Sequence, residues 1–256
     1  MPLLHVDNLT HYFGGLRAVH DFDLEIEKGE TRGLIGPNGA GKSTIFNLIT
    51  GMYTPTEGGI SFKGVNLVGR RPYEIAALGI GRTFQNLRLW RHMTVLDHVR
   101  LAHYSKINYG LLDAFFGTAR SQSGEREITH RAYALLEMMG VRRFADEVVT
   151  NLPYGVQRKV ELARAMAVEP ELLLLDEPTA GMNPEEMVEM MGMIRQIRDE
   201  FGPAIYLIEH RMRVVMDLCE YIQTLNFGEV IAEGTPDETR NNPVVIEAYL
   251  GEEEED

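Results

Sequence analysis

Residues 36–44 read Gly-Pro-Asn-Gly-Ala-Gly-Lys-Ser-Thr, which fits the phosphate-loop pattern G-x-x-x-x-G-K-[ST]. Gly36, Gly39 and Gly41 let the backbone wrap closely, so that its N–H groups point at phosphate oxygens. Lys42 brings a point charge to the β- and γ-phosphates, and the Ser43 hydroxyl is a ligand for Mg²⁺. Pro37, Asn38, Ala40 and Thr44 complete the expected ATP-binding stretch. A glycine-rich turn with an incidental lysine is the plain alternative. The flanks argue against it: an apolar run, Gly33-Leu34-Ile35, precedes the loop, and an apolar helix over 44–52 follows it. That helix adds the positive end of its dipole.

The acid for such a site lies in "LLLLDEP" (172–178). Asp176, at the end of a buried strand, is placed to hold Mg²⁺, and Glu177 to accept a proton from an attacking water. An isolated Asp-Glu after a strand is often only a capping pair; the phosphate loop upstream favours the catalytic reading. Gln85, in "GRTFQNLRLW", offers a neutral amide to Mg²⁺ and the water. His210 ends "AIYLIEH" and offers an imidazole to a γ-phosphate. Alone, Gln85 and His210 would each read as structural.

These residues need an α/β scaffold. "ELLLLDE" (171–177) and "AIYLIEH" (204–210) are continuous apolar runs ending in charges, as in parallel strands buried on both faces. Residues 22–36 alternate at first and then turn at Lys28-Gly29, which predicts an antiparallel hairpin. A short strand pair is expected at 58–67, and a hairpin at 221–234 around Phe227-Gly228. "TPDE" (235–238) predicts a capped helix start. Strand signals fade between about 87 and 165, where "TVLDHVRLAHY" and "REITHRAYALLEMMG" have helical periodicity. The expectation is one domain, with a core over 1–86 and 166–256, a helical insertion over about 87–165 and an acidic tail at 251–256.

Composition sets bounds. The net charge is −13, which works against nonspecific attraction to nucleic acid or anionic lipid. The one cysteine, Cys219, excludes a disulfide within the chain and reads as core. No signal peptide and no run of the roughly 18 apolar residues needed for a membrane span is visible, so a cytosolic protein is expected.

One helix has an odd start. "NLPYGVQRKVELARA" (151–165) places a Pro-Tyr-Gly elbow ahead of an amphipathic run, with Arg158, Lys159, Glu161 and Arg164 among apolar Val160, Leu162, Ala163 and Ala165. The ordered set of loop, Gln85, elbow helix, "LLLLDEPTAGMNP" and "LIEH" resembles the nucleotide-binding subunit of an ABC transporter over nearly the whole chain. The resemblance implies a P-loop NTPase (RecA-like) core, an antiparallel β subdomain and an inserted helical subdomain. It implies that Tyr154, Gly155, Val156 and Gln157 form the signature that completes the partner's ATP site in a head-to-tail dimer. It implies that "AGMNP" (180–184) joins the two sites, that Phe13 stacks on adenine with Tyr12 as the neighbouring alternative, and that Val19 is a second wall of the base pocket. In the wider family a serine usually stands at position 153 and a glycine at 154; here Pro153 lacks the hydroxyl and Tyr154 takes the glycine's place.

Finer features, "HYFGGLRAVHDFDLEIEKGE", "GRTFQNLRLWRHMTV" and "NNPVVIEAYLGE" among them, resemble the larger ATPase of bacterial branched-chain amino-acid importers. ATPases of urea or amide importers and of lipopolysaccharide export share much of this pattern. The implied assembly has two transmembrane permease subunits and a second ATPase, as a heterodimer or a homodimer. A solute-binding protein acts indirectly, and the ATPase sits at the cytoplasmic face of the inner membrane. The aromatic stretch 103–125, with Tyr104, Tyr109, Leu111, Leu112, Phe115 and Phe116, reads as a docking surface or as packing within the helical lobe. A soluble ABC-type ATPase acting on DNA or ribosomes would want a coiled coil, a second cassette or basic surfaces, and none is seen. A small-molecule phosphotransferase would leave the 151–165 helix unexplained.

Overall fold

A computed structural model describes residues 1–104, 113 and 118–250. Of the aromatic stretch, Tyr109, Leu111, Leu112, Phe115 and Phe116 lie outside the described residues, as does the acidic tail at 251–256. Tyr104 is described, and its hydroxyl donates to the Glu125 carboxylate at 2.8 Å. The chain divides into two compact units. The first comprises Met1–Ile80, Glu171–Glu177 and Ile194–Asp256, and the second Gly81–Pro170 and Pro178–Met193.

The first unit holds an antiparallel sheet. Strand β1 (Leu4–Phe13) pairs with β2 (Leu16–Ile26) and with β4 (Glu57–Phe62), and β4 pairs with the short β5 (Val65–Asn66). Phe22, Leu24 and Ile26 of β2 are buried and Asp21, Asp23 and Glu25 exposed, so one face is dry. The hairpin expected over 22–36 does not form. β3 (Thr31–Ile35) crosses into a second sheet, where it pairs in parallel with β8 (Ala204–Ile208) and β9 (Tyr221–Asn226). The cause is burial. Gly33, Leu34 and Ile35 are covered on both faces, which suits the interior of a parallel sheet, whereas β2 keeps a wet face.

The second sheet has the order β10-β9-β3-β8-β7-β6, with β6 at Ile80–Arg82, β7 at Leu172–Asp176 and β10 at Glu229–Gly234. β7 and β8 are wholly buried and parallel, as their apolar runs predict. β9 and β10 form the expected hairpin around Phe227-Gly228. Helix α1 (Lys42–Ile49) follows β3 and buries Ile45, Phe46 and Ile49 in a core that also takes Phe22, Phe62 and Tyr206. α2 (Pro72–Ala77) lies after β5. Cys219 is buried near Gly33, and burial raises its thiol, which makes it an inert core residue.

In the second unit Thr94 caps α3 (Val95–His103) and Thr118 caps α4 (Ala119–Met138). His98, buried on α3, accepts the Trp90 N–H at Nε2 (2.8 Å), and its Nδ1 lies 2.7 Å from the Thr94 carbonyl. Burial lowers its pKa, in keeping with a neutral ring that pins the 86–93 stretch from within. α5 (Tyr154–Met166) carries the elbow at its head, and α6 (Pro184–Phe201) begins in this unit and ends in the first. α7 (Met212–Leu218), α8 (Pro236–Arg240) and α9 (Pro243–Leu250) complete the first unit, with the Thr235–Glu238 capping box formed as expected. Among the described residues, no helix is long and apolar enough to cross a membrane.

Candidate active site

Three strand ends of the first unit meet at one edge. In the parallel register Leu34 of β3 pairs with Ile208 of β8, and Ile208 pairs with Asp176 of β7. The phosphate loop therefore leaves β3 one strand from His210 and two strands from Asp176-Glu177, with about 4.8 Å between neighbouring strands. The loop is tight. A Cβ at Gly36 (φ 146°) would lie 2.0 Å from the Leu225 carbonyl oxygen, and one at Gly41 (φ 105°) 2.4 Å from that of Ala18. No side chain caps the N-terminus of α1, and its first residue is Lys42. The Lys42 ammonium is buried and folds back to donate to the carbonyls of Gly36 and Pro37, at 2.6 Å each. Ser43 is exposed on the first turn of α1, and Asn38 and Gly39 are exposed in the loop.

Asp176 is buried at the end of β7. Glu177 follows in the left-handed region, at φ 47°, and donates its N–H to the Ile208 carbonyl at 2.9 Å. A non-glycine residue in that region is strained and persists only where its surroundings hold it. Here the extra bond to β8 does so, and it turns the carboxylate out of the strand. Glu177 Oε2 lies 3.7 Å from His210 Nδ1. The buried Glu209 carboxylate accepts the backbone N–H groups of His210 (3.2 Å) and Arg211 (3.3 Å), which fixes the end of β8 under the imidazole. The edge thus presents a cation, a carboxylate paired with an imidazole, and two hard oxygen donors, Ser43 and Asp176. That donor set suits Mg²⁺, which takes one or two protein oxygens together with phosphates and water.

Phe13 is 43% exposed near the end of β1. It packs edge-on against His11 (4.7 Å) and Tyr53 (5.3 Å), while His11 stacks on Tyr53 at 5.7 Å. Phe13 therefore has a face to offer and a supported edge. Val19, the other residue expected at the adenine base, presents no surface beside it. It is 0% exposed in the core, because a bulge at Asp21 (φ 45°), where the register slips between Leu9–Phe22 and His11–Val19, breaks the alternation of β2 and turns Val19 to the same side as Phe22. The residue on the other face is Ala18, whose carbonyl lies against Gly41 and Gly228. The irregular register of β1 and β2, shifted three times, hides this from the sequence.

Gln85 lies in the second unit, where the elbow helix grips it by the backbone. Arg158 Nη1 donates to the Phe84 carbonyl (2.7 Å) and Nη2 to the Gln85 carbonyl (2.5 Å). Arg158 also pairs with Glu161 at 3.2 Å, both side chains almost wholly buried. Burial pushes the Glu161 carboxyl up against the pull of Arg158 and Arg164. The amphipathic pattern places both charges on the wet face; the structure places them inside. Pro153 caps α5 at φ −55° and ψ 150°, without a side-chain hydrogen bond. Tyr154 is half exposed and covers Gly181, where a Cβ would meet its ring at 3.0 Å. Gly155 is buried, and a Cβ there would meet Glu186 Oε1 at 2.7 Å, so a side chain at 155 would have to displace the Glu186 carboxylate. Val156 and Gln157 complete the first turn, and the Gln157 amide donates back to the Leu152 carbonyl at 2.8 Å.

The sequence profile of a family described as ABC transporter matches residues 19–180. A second profile, described as branched-chain amino acid ATP-binding cassette transporter, matches residues 229–255. The chain is 44% identical over 251 residues to the high-affinity branched-chain amino acid transport ATP-binding protein LivG of Salmonella typhimurium, covering 98% of each chain. It is also similar to the crystal structure of the ADP conformation of MJ1267, an ATP-binding cassette of an ABC transporter. That similarity has a TM-score of 0.84 and 29% identity, covering 98% of this chain and 99% of that one. A dimeric post-hydrolysis state of the cassette MJ0796 bound to ADP and Pi matches with a TM-score of 0.78 and 27% identity, over 91% of this chain and 98% of that one.

Proposed function

The chain belongs to the ABC transporter family, and from that premise we propose that it is the ATP-hydrolysing subunit of an importer for branched-chain amino acids. The observation that carries the substrate class is the likeness to LivG over 98% of both chains. We infer that it works beside a second ATPase, with two permease subunits and, indirectly, a solute-binding protein, at the cytoplasmic face of the inner membrane.

Phe13 stacks on the adenine, with Tyr53 and His11 holding its ring. The loop N–H groups between Asn38 and Thr44 and the start of α1 surround the phosphates, and Lys42 leaves the Gly36 and Pro37 carbonyls for the β- and γ-phosphates. Ser43 and Asp176 would hold Mg²⁺. That ion would neutralise charge between the β- and γ-phosphates. Glu177 takes a proton from water as the water oxygen bonds to the γ-phosphorus and the bond to the ADP oxygen breaks. His210 donates to the γ-phosphate, and its neighbour Glu177 keeps the imidazole near that oxygen.

Lys42→Ala is expected to weaken nucleotide binding itself. A charge-assisted hydrogen bond contributes about 1.5–3 kcal/mol, so the loss is roughly 10- to 150-fold in Kd. Titration with a fluorescent ATP analogue checks it; an unchanged Kd would show that the ammonium stays on the carbonyls it occupies here.

Pro153→Ser restores a hydroxyl at the head of α5. It serves as a helix cap, contributing about 1 kcal/mol, and as a donor toward the phosphate bound by the partner ATPase. In the assembled complex turnover should rise about tenfold, the lower end for a bond to an anion. In a heterodimer the gain should vanish when the partner's catalytic glutamate is replaced. A higher melting temperature with unchanged turnover would mean that the hydroxyl only caps the helix.

The transport reading is tested in proteoliposomes with the permease subunits and a solute-binding protein. Leucine, isoleucine or valine should stimulate ATP hydrolysis, and urea or short amides should not. Stimulation by nucleic acid alone, without the permeases, would overturn the reading.

A further inference from the structure

The phosphate loop is tied to the last helix of the fold. Gly36 donates its N–H to the Tyr249 hydroxyl at 2.8 Å, across 213 residues of sequence. Tyr249 lies on α9, which Val245 seats in the first unit at 2% exposed, while Val244 and Ile246 face outward. Gly36 is engaged on every side. Its carbonyl accepts from the Lys42 ammonium at 2.6 Å. The Leu225 carbonyl fills the space where a Cβ would stand, so the residue cannot shift toward β9. Phosphate-loop chemistry asks for glycines and a lysine; it does not ask for a phenol from the other end of the chain.

We propose that Tyr249 is a positioning residue for the nucleotide site: by holding the Gly36 N–H it fixes the residue from which the loop starts to wrap the phosphates, and so couples α9 to occupancy of the phosphate loop. The proposal rests on the ATP reading above. The loop has to wrap phosphates from a fixed starting residue. Without the hydroxyl, Gly36 loses a protein partner and the loop samples more geometries, and the cost of ordering them falls on binding. Linkage makes the effect reciprocal: what the nucleotide gains from an ordered Gly36, α9 gains from the nucleotide.

The test uses the full chain and mant-ATP. Tyr249→Phe should raise the Kd and the KM for ATP by about 2- to 10-fold, the range of one neutral hydrogen bond. It should leave kcat at saturating ATP within about twofold. Amides of 244–250 should exchange more slowly when ATP is added to the parent protein, and this protection should be absent in Tyr249→Phe. Ile246→Ser, on the exposed side of the same helix, should change neither the Kd nor the protection. A purely structural tyrosine would lower the melting temperature without separating KM from kcat. Equal Kd values for parent and variant, or parent α9 amides indifferent to ATP, would overturn the proposal. The parent exchange measurement decides the matter even if the variant does not fold. If the parent binds no mant-ATP, the nucleotide reading falls and takes this proposal with it; binding by the parent with an unaffected variant removes the proposal alone.

Discussion

Glu177→Gln is expected to bind ATP as the parent does and to hydrolyse it about 10²–10⁴-fold more slowly, the range a positioned general base contributes. The substitution keeps the size of the side chain and removes its ability to take a proton. Three features of the site support the proposal that it is the base: its position after the buried Asp176, its turn at φ 47°, and the imidazole 3.7 Å away. The loss corresponds to about 3–5 kcal/mol of barrier. Lys42, the loop amides and Phe13 are untouched, so affinity should hold and the ATP-bound dimer should accumulate. Single-turnover hydrolysis together with gel filtration in ATP reads both effects. Turnover within a few-fold of the parent would move the base elsewhere. His210→Ala should also reduce turnover, and by less, since the base itself would remain.

Arg158→Met should destabilise the second unit by about 3–5 kcal/mol, the usual cost of stranding one member of a buried ion pair. Methionine fills much of the same space but leaves Glu161 with the Phe84 N–H at 3.3 Å and, as its charged partner, the more distant Arg164 at 3.7 Å. It also abandons the Phe84 and Gln85 carbonyls. Replacing Glu161 by Gln in the same chain should recover a large part of the loss, because the stranded charge is then gone. The four chains of this cycle, compared by urea denaturation, measure the coupling. Additive losses would mean that the pair contributes nothing as a pair. Arg158→Lys sharpens the reading: an ammonium keeps the charge but cannot span two carbonyls in a fixed fork, so it should restore stability better than activity.

Where chemistry depends on local spacing, the sequence was legible. The phosphate loop, the two buried strands, the 221–234 hairpin and the Thr235 capping box each announce themselves within about ten residues. The misreadings are nonlocal. Residues 22–36 look like a hairpin because the turn and both apolar runs are present. Only the preference of β2 for β1, and of β3 for β8 and β9, sends them to different sheets. Val19 and Ala18 differ by one step of a two-residue alternation, so the bulge at Asp21 decides which one faces the core. Arg158 and Glu161 fit the polar stripe of a helix, and what buries them is the Phe84-Gln85 backbone some 70 residues earlier. Tyr249 gives no local sign at all, since its partner is a backbone N–H at the other end of the chain.

The contact between Tyr154 and Gly181 makes two distant positions depend on one another. A Cβ at 181 would stand 3.0 Å from the tyrosine ring, so a side chain there asks the ring to give way by a few tenths of an ångström. A relative with glycine or serine at 154 has that room back, and its loop at 180–184 is then free to carry a methyl group or more and to abandon the left-handed turn at φ 73°. Bulk at the two sites should therefore be inherited as an exchange: large at 154 with glycine at 181, or small at 154 with a side chain at 181. A chimera that takes the elbow from one relative and the loop from another should fold poorly in one direction, tyrosine meeting alanine, and well in the reverse. Position 155 answers to a different neighbour: a side chain there would have to displace the Glu186 carboxylate whichever residue stands at 154.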